Sequence, residues 1–272
     1  MKVKIVSVFA INNQGGNPCA IVDDAAHLST DEMQVMAIHF NLPETVFIFP
    51  DKNQYLLRFF ATKGELPLCC HGALGAAYYL FKSNYRKSFN IKSYQTKINL
   101  NIECDNNLIS MSVVNNGKIV DDNIDLGIIS KLLAIDKTSI STHLPRTVAS
   151  IGSPKLLVPV IDRNVLFNMT PNLDLMSQWC KKHSVNGIYV YSNDTENSYS
   201  DYVGRNFNPL FSHQEDIATG VAAVALAFML NLKNDKKKNN FTIEQGAHLA
   251  SPSRIDVSMD PEKITVKGSV YC

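Results

Sequence analysis

Two acidic residues ahead of a predicted helix are well placed to do chemistry. Glu215 and Asp216 precede Thr219 and Gly220, and an almost wholly apolar, alanine-rich segment, residues 221–230, follows them. A helix that starts this way leaves backbone N–H groups free where its dipole is positive, which predicts a site for an anion such as a carboxylate. The alternative is a core helix with an ordinary cap.

A histidine occupies the corresponding place earlier in the chain. His71 stands at the start of a second small-residue segment, residues 72–80, directly after Cys69 and Cys70. Because the helix dipole opposes a positive charge at this end, the sequence predicts a neutral imidazole. Such a histidine could orient a substrate, relay a proton or simply cap the helix.

The third candidate for chemistry is Glu44. Within residues 42–49, it lies between a predicted helix end and a predicted strand that is apolar on both faces. A carboxylate at the edge of buried strand residues is partly desolvated, and this suits general acid and base catalysis. The alternative is a solvated acid in a surface turn.

The elements that must position these residues occur twice. An arginine opens each copy, Arg58 or Arg205, and a glycine follows Phe60 after 12 positions and Phe207 after 13. Two copies of a strand, an acidic loop, a glycine and a small-residue helix predict two similar domains, each around one buried helix. If the two halves face each other, both helix starts are expected to aim at one shared cleft.

Other segments complete the predicted fold. A capping box formed by Ser29 and Glu32 predicts a helix that ends near Asn41. Two further helices are predicted at residues 128–135 and 173–183. Strands are predicted from the N-terminus to Phe9 and at residues 19–22, 55–60, 89–114 in several pieces, 148–160, 187–191, 242–246, 255–259 and 264–270. The turn signal at residues 115–117 predicts a domain boundary.

The composition favours a small molecule as the partner. A chain of 272 residues with 45% hydrophobic content is long enough for two domains. Its net charge of +1, from 26 basic and 25 acidic residues, calls for neither nucleic acid nor a membrane surface. Neither a secretory signal nor a membrane-spanning run is predicted. The six cysteines lack metal-ligand spacing and are expected to be reduced thiols in a cytoplasmic protein.

Five short motifs follow one another along nearly the whole chain. They are Gly16-Asn17-Pro18, Leu42-Pro43-Glu44-Thr45-Val46-Phe47, Cys69-Cys70-His71-Gly72-Ala73, Glu215-Asp216-Ile217-Ala218-Thr219-Gly220 and Glu244-Gln245-Gly246. In this order they resemble the phenazine-biosynthesis (PhzF-like) isomerases, which share the diaminopimelate epimerase fold.

The resemblance implies an α+β fold of two pseudo-symmetric domains, each a curled, mostly antiparallel sheet around a central helix, with the site in the cleft between them. It implies one domain of residues 1–117, to which a C-terminal strand near residues 262–272 returns, and a second domain of residues 118–272. Members of the family are usually homodimers.

The resemblance also implies the roles of individual residues. Glu44 matches the general acid/base, and His71 and Asp216 match the histidine and the aspartate of the family's motifs. The positions implied in substrate binding are Asn17, Gly72, Ala73, Thr219, Gly220 and Val221. The best known reaction of the family moves a proton between carbons of trans-2,3-dihydro-3-hydroxyanthranilate without a metal or organic cofactor. We therefore expect a small carboxylate as substrate, no cofactor and no metal.

Several positions depart from the family pattern, namely Cys70, Gly72, Ile217 and Val221, together with Ala250-Ser251-Pro252-Ser253 in place of a frequent G-R-P-S. Val221 lacks the hydroxyl of the usual serine, so the resemblance does not fix the substrate. One alternative is a binding or regulatory protein that keeps the anion-binding cleft but has lost turnover. A less favoured alternative is a thiol-dependent racemase or epimerase that uses Cys69, although no second cysteine lies near residues 217–220.

Overall fold

The computed structural model describes residues 2–51, 54–210, 215–233 and 238–272, which form seventeen strands and six α-helices. The strands are β1 (Lys2–Ala10), β2 (Asn17–Asp23), β3 (Glu44–Asp51), β4 (Gln54–Ala61), β5 (Gly64–Leu66), β6 (Ser88–Ser93), β7 (Asn99–Asp105), β8 (Leu108–Val114), β9 (Lys118–Asp121), β10 (Thr147–Ser150), β11 (Lys155–Pro159), β12 (Ile188–Ser192), β13 (Tyr202–Phe207), β14 (Glu215–Asp216), β15 (Asn240–Gln245), β16 (Ser253–Met259) and β17 (Lys263–Tyr271). The helices are α1 (Thr30–Phe40), α2 (Cys70–Asn84), α3 (Leu126–Leu133), α4 (Arg163–Asn168), α5 (Leu173–His183) and α6 (Gly220–Lys233).

The chain divides into two compact units. Unit 1 runs up to Val113 and takes in Thr265–Cys272, and unit 2 is Val114–Ile264. The domain limits predicted from the sequence, residues 1–117 and 118–272, stay a prediction.

Unit 1 contains a mixed sheet in which most neighbours are antiparallel. Strand β2 pairs antiparallel with β1 and parallel with β3. Strand β4 pairs antiparallel with β3 and β5 and parallel with β6, which continues antiparallel into β7 and β8. Strand β17 pairs antiparallel with β1, so the end of the chain joins the sheet of its beginning.

Unit 2 repeats this order of pairings. Strand β11 pairs antiparallel with β10 and parallel with β12. Strand β13 pairs antiparallel with β12 and β14 and parallel with β15, which continues antiparallel into β16. The pairings from β10 to β16 thus match those from β1 to β7, and the predicted pseudo-symmetric α+β repeat is confirmed.

Each unit buries one helix, as the sequence predicts. Helix α2 packs against β1, β2, β3 and β7, and α6 packs against β10, β11, β15 and β16. Every residue from Cys70 to Tyr78 is buried, and so is every residue from Ala222 to Ala227. Burial all round, rather than along one stripe, is the property of a helix enclosed by a core.

Small residues let α2 approach the sheet closely. A Cβ atom on Gly72 would lie 2.8 Å from a methyl group of Val46, and one on Gly75 would lie 2.8 Å from the sulfur of Cys19. Both contacts are too short for a carbon atom, so a larger residue at either position would have to displace Val46 or Cys19. This close packing brings the first turn of α2 against the start of β3.

Two local predictions from the sequence are confirmed, the capping box of α1 and the free cysteines. Ser29 and Glu32 form the predicted capping box of α1, and Asn41 ends the helix in the left-handed conformation. All six cysteines are free. Helix α4 was not predicted, because six residues are too few to show helical periodicity.

Within the part of the chain that the structure describes, none of the helices combines the length and the apolar character needed to cross a membrane.

Candidate active site

Glu44 and His71 meet in unit 1. Glu44 is the first residue of β3, and His71 lies in the first turn of α2. The carboxylate Oε2 is 2.7 Å from the imidazole Nε2, and the two side chains are 15% and 7% exposed, respectively. Among the described residues, neither of these two atoms has another hydrogen-bond partner. The pair is therefore nearly enclosed, while part of the carboxylate stays open to a ligand.

Cys69 lies on the other edge of the same imidazole. Its sulfur is 3.3 Å from Nδ1 of His71 and accepts a hydrogen bond of 3.3 Å from the backbone N–H of Gly72. Cys69 is thus the N-cap residue of α2. The histidine stands between a thiol and a carboxylate, with one ring nitrogen facing each.

The charges in this row follow from burial and proximity. Burial raises the pKa of the Cys69 thiol to about 12, with the Glu44 charge adding to the effect, so the thiol is neutral near pH 7. Burial disfavours a charged His71, but the acidic groups of Cys69 and Glu44 and the hydrogen bonds to both raise its pKa well above the usual value. With the thiol neutral near pH 7, Glu44 is the group that opposes the effect of burial on His71.

The raised pKa of His71 runs against the predicted neutral imidazole, which considered the helix dipole alone. The helix dipole does oppose a charge at His71, but its effect is at most about 2 kcal/mol. A carboxylate 2.7 Å away in a nearly enclosed site acts more strongly and in the opposite direction.

Among the described residues, Glu44, Cys69 and His71 also form a group that could hold a metal ion. Each offers one ligand atom, and these atoms lie within 4.8 Å of one another. The imidazole, however, lies between the other two groups and turns a different nitrogen toward each. A single ion would use only one of the two ring nitrogens, whereas a proton-transfer row uses both, and the arrangement suits such a row.

Strand β2 supplies the buried neighbours of Glu44. Cys19 pairs with Glu44 in the parallel ladder between β2 and β3. Asn17, a predicted substrate-binding residue, begins β2, is buried, and lies two residues before Cys19 on the same face of the strand.

Asp216 is held by three donors in unit 2. Its Oδ2 accepts hydrogen bonds from Nδ2 of Asn206 at 3.0 Å, from Nδ2 of Asn208 at 2.6 Å and from the hydroxyl of Thr219 at 3.0 Å. Hydrogen bonds to a carboxylate are about twice as strong as those between neutral groups. The carboxylate therefore has a fixed orientation before any ligand binds.

Gln245 locks the loop between Asp216 and α6. Its Nε2 donates to the carbonyl of Asp216 at 2.8 Å, and its Oε1 accepts from the N–H of Thr219 at 3.2 Å. Gly246 follows with φ +83°, and a Cβ atom there would lie 2.5 Å from the carbonyl oxygen of Ser251. Glu244, the first residue of the same motif, accepts backbone hydrogen bonds of 2.9 Å from the N–H groups of Glu196 and Asn197.

Several backbone amides predicted to bind substrate are engaged within the protein. The N–H of Gly72 donates to the Cys69 sulfur, and that of Ala73 donates to the Cys69 carbonyl. The N–H of Thr219 donates to Gln245. Gly220 and Val221 are the first two residues of α6, where helix geometry leaves N–H groups without partners inside the helix.

The structure thus brings Glu44 and His71 together in unit 1, and Asp216, Thr219 and the start of α6 together in unit 2. Sequence reasoning missed the donors to Asp216. The alternation of Asn206 and Asn208 at the end of β13 could have suggested two amides on one face.

The fold defines the class of the protein. The chain is similar to a phenazine biosynthesis protein of the PhzF family from Bacillus anthracis, with a TM-score of 0.87 and 23% identity over 99% of this chain and 97% of that one. It has the α+β diaminopimelate epimerase-like fold.

The family follows from the sequence. The family model described as "Phenazine biosynthesis-like protein" matches residues 6–271, and the chain belongs to this PhzC-PhzF family. It is 29% identical to the "Antisense-enhancing sequence 1" protein of Schizosaccharomyces pombe over 94% of this chain and 90% of that protein. It is 25% identical to an uncharacterized isomerase of Clostridium acetobutylicum over 93% and 90% of the two chains.

Proposed function

We propose that the protein is a cofactor-independent isomerase that moves a proton between carbons of a small carboxylated substrate, with Glu44 as the general acid/base. The observation that carries this proposal is the 2.7 Å contact between Glu44 and His71 in a nearly enclosed site. Relatives across most of the chain's length are named isomerases, which supports the same class of reaction.

The pair suits proton transfer in both directions. His71 contacts the Glu44 carboxylate at 2.7 Å, and this carboxylate starts the reaction as a base. It removes a proton from an activated C–H bond and becomes a carboxylic acid. Transfer of a proton from this acid to a second carbon restores the carboxylate, and no electron is required. Because the acid proton exchanges with solvent, the reaction in D₂O leaves deuterium on carbon.

The substrate's own charges need partners as well. The N–H groups of Gly220 and Val221 at the start of α6 are suited to a carboxylate or to negative charge that develops during the reaction. The oriented carboxylate of Asp216 is suited to a donor group of the substrate. We assign Asp216 to the same reaction because it matches the aspartate of the PhzF-like motif. The best known substrate of that family is a cyclic carboxylate that carries an amino group.

Deuterium uptake tests the proposal. Amino-acid-like and cyclic carboxylates are incubated with the protein in D₂O, and label on carbon is measured by mass spectrometry. We expect uptake into at least one compound and its loss in Glu44→Gln. The matched control is Glu103→Gln, which changes an exposed glutamate of unit 1 and should keep the wild-type rate. Undiminished uptake by Glu44→Gln would refute the assignment.

A second candidate function uses the thiol of Cys69, whose sulfur lies 3.3 Å from His71. A thiol-dependent racemase would lose uptake in Cys69→Ala, whereas the isomerase proposed above would keep it. A binding or regulatory protein would bind a carboxylate from the panel without any uptake. The homodimer and the cytoplasmic location stay predictions.

A further inference from the structure

A buried lysine lies behind the Asp216 group in unit 2. Lys155 begins β11, and the residue is 4% exposed. Its Nζ donates to Oδ1 of Asn208 at 2.5 Å and to the carbonyl of Asn186 at 3.1 Å. Nδ2 of Asn208 donates in turn to Asp216 at 2.6 Å. A hydrogen-bonded row therefore runs from an ammonium through an amide to a carboxylate.

The ammonium determines which way the Asn208 amide faces. A charged lysine has only donors, so the oxygen of the amide must face Lys155. The NH₂ group then faces Asp216 and donates to it. An amide free to turn over could present its oxygen to the carboxylate, where two acceptors would repel each other.

The backbone around Lys155 is shaped to leave room for this contact. Gly187 has φ +146°, and a Cβ atom on it would lie 2.9 Å from Nζ of Lys155 and 2.4 Å from the carbonyl oxygen of Phe207. Any larger residue would therefore displace the ammonium or distort β13. Glycine at this position preserves the space that the lysine occupies.

The pKa of Lys155 depends on burial and on two nearby groups, Asp216 and Cys180. Burial lowers the pKa of Lys155 to about 8, while the negative charge of Asp216 and, to a lesser degree, Cys180 on α5 act against that shift. Burial raises the pKa of Cys180 to about 11, which leaves Asp216 as the negative charge that Lys155 meets near neutral pH. The lysine is therefore mostly charged at pH 7.

We propose that Lys155 is a positioning residue, which fixes the amide of Asn208 and thereby holds Asp216 ionised and oriented toward a donor group of the substrate. The last step rests on the proposed function, but the row from Lys155 to Asp216 does not. In the other unit the corresponding place in the strand ladder is taken by the apolar thiol of Cys19.

Titration of Asp216 by NMR tests the row without any substrate. Protein labelled with ¹³C at the aspartate carboxyls is titrated, and the Asp216 signal is identified by its loss in Asp216→Asn. We expect a higher Asp216 pKa in Lys155→Met than in the wild type, because a nearby positive charge is gone. The control Lys131→Met removes an exposed lysine of unit 2 and should change nothing. An Asp216 titration that is identical in Lys155→Met and wild type would overturn the proposal.

A second measurement keeps the test decisive if Lys155→Met does not fold. The ammonium of Lys155 is titrated through its ¹³Cε signal in the wild type and in Asp216→Asn. We expect a lower Lys155 pKa in the variant, because the charge of Asp216 favours the protonated lysine. An unchanged Lys155 titration would show that the two groups are not coupled and would refute the row.

The substrate step is tested by the pH profile of deuterium uptake. Wild-type kcat/KM should fall as the pH rises through about 8, as Lys155 loses its proton. In Lys155→Met it should be about tenfold lower and flat over this range. A variant that keeps the wild-type profile would refute the positioning role. If the wild type shows no uptake at all, the proposed function fails, while the two NMR titrations still decide whether the row exists.

Discussion

The two units share one scaffold but carry different chemistry on it. In unit 1, Arg58 holds Glu65 through two contacts of 2.8 and 2.7 Å, and in unit 2, Arg205 holds Glu215 through two contacts of 2.7 and 2.8 Å. Each arginine also lies over the ring of the phenylalanine two residues further on. In unit 1 these contacts join β4 to β5, which precedes α2. In unit 2 they join β13 to β14, which precedes α6.

The strand registers show where the units differ. Glu44 and Gly187 correspond, since each directly precedes the residue that pairs with that phenylalanine. By the same ladders Cys19 corresponds to Lys155. In unit 1, Glu44 at the start of β3 contacts an imidazole. In unit 2, the corresponding residue is Gly187, the space beside it holds the ammonium of Lys155, and the carboxylate is that of Asp216 on β14. The repeated residues hold the fold, and the residues that differ are those assigned to chemistry.

Among the neighbours of Glu44, the largest effect is expected at His71. Replacing it with asparagine removes the imidazole beside Glu44, and we expect deuterium uptake to fall by about 10²-fold or more. His39→Asn, which changes an exposed histidine on α1, is the control. Uptake within a few-fold of wild type in His71→Asn would mean that Glu44 works without the imidazole.

The repeated arginines should differ in their effect on stability. Arg205 also donates to the carbonyls of Leu166 and Met169, whereas Arg58 donates to the hydroxyl of Thr30. We expect Arg205→Met to lower the free energy of unfolding by about 3 kcal/mol. Arg58→Met should lower it by about 1.5 kcal/mol. Urea unfolding of both variants measures the difference, and equal losses would contradict an added role for Arg205.

The His71 pair also makes stability depend on pH. Its pKa is raised in the folded protein, so its stabilisation is complete below the usual histidine pKa of about 6.5. The stabilisation decreases above that pH and is lost once the pH passes the raised value. The difference in unfolding free energy between wild type and His71→Asn should therefore shrink as the pH rises. A difference that grows with pH would contradict the ion pair.

The smallest effect is expected at Cys69. Cys69→Ser keeps an N-cap acceptor for Gly72, and deuterium uptake should stay within about threefold of wild type, which is under 1 kcal/mol. Cys69→Ala loses the cap and should also lower stability by about 1 kcal/mol. A loss of uptake in Cys69→Ser as large as that in His71→Asn would make the thiol a participant in the reaction.

Sequence alone identified the elements that carry the site. The cap of α1, the two buried helices and the repeat depend on local spacing, and Glu44 and His71 stood out through their place beside those elements. The features that the sequence did not predict depend on contacts between residues far apart in the chain. Lys155 reaches Asn208 across 53 positions, and the contact exists only because the strand registers align them. The raised pKa of His71 likewise depends on its contact with Glu44, which no local pattern contains.

Chemical rescue of Glu44→Ala tests the central claim most directly. Deuterium uptake by this variant is measured with and without added formate, a small carboxylate that can occupy the space left by the side chain. We predict that uptake falls by about 10²-fold to 10⁴-fold and recovers as formate is added. Uptake by Glu44→Ala at the wild-type rate, without formate, would contradict the assignment of Glu44 as the group that carries the proton.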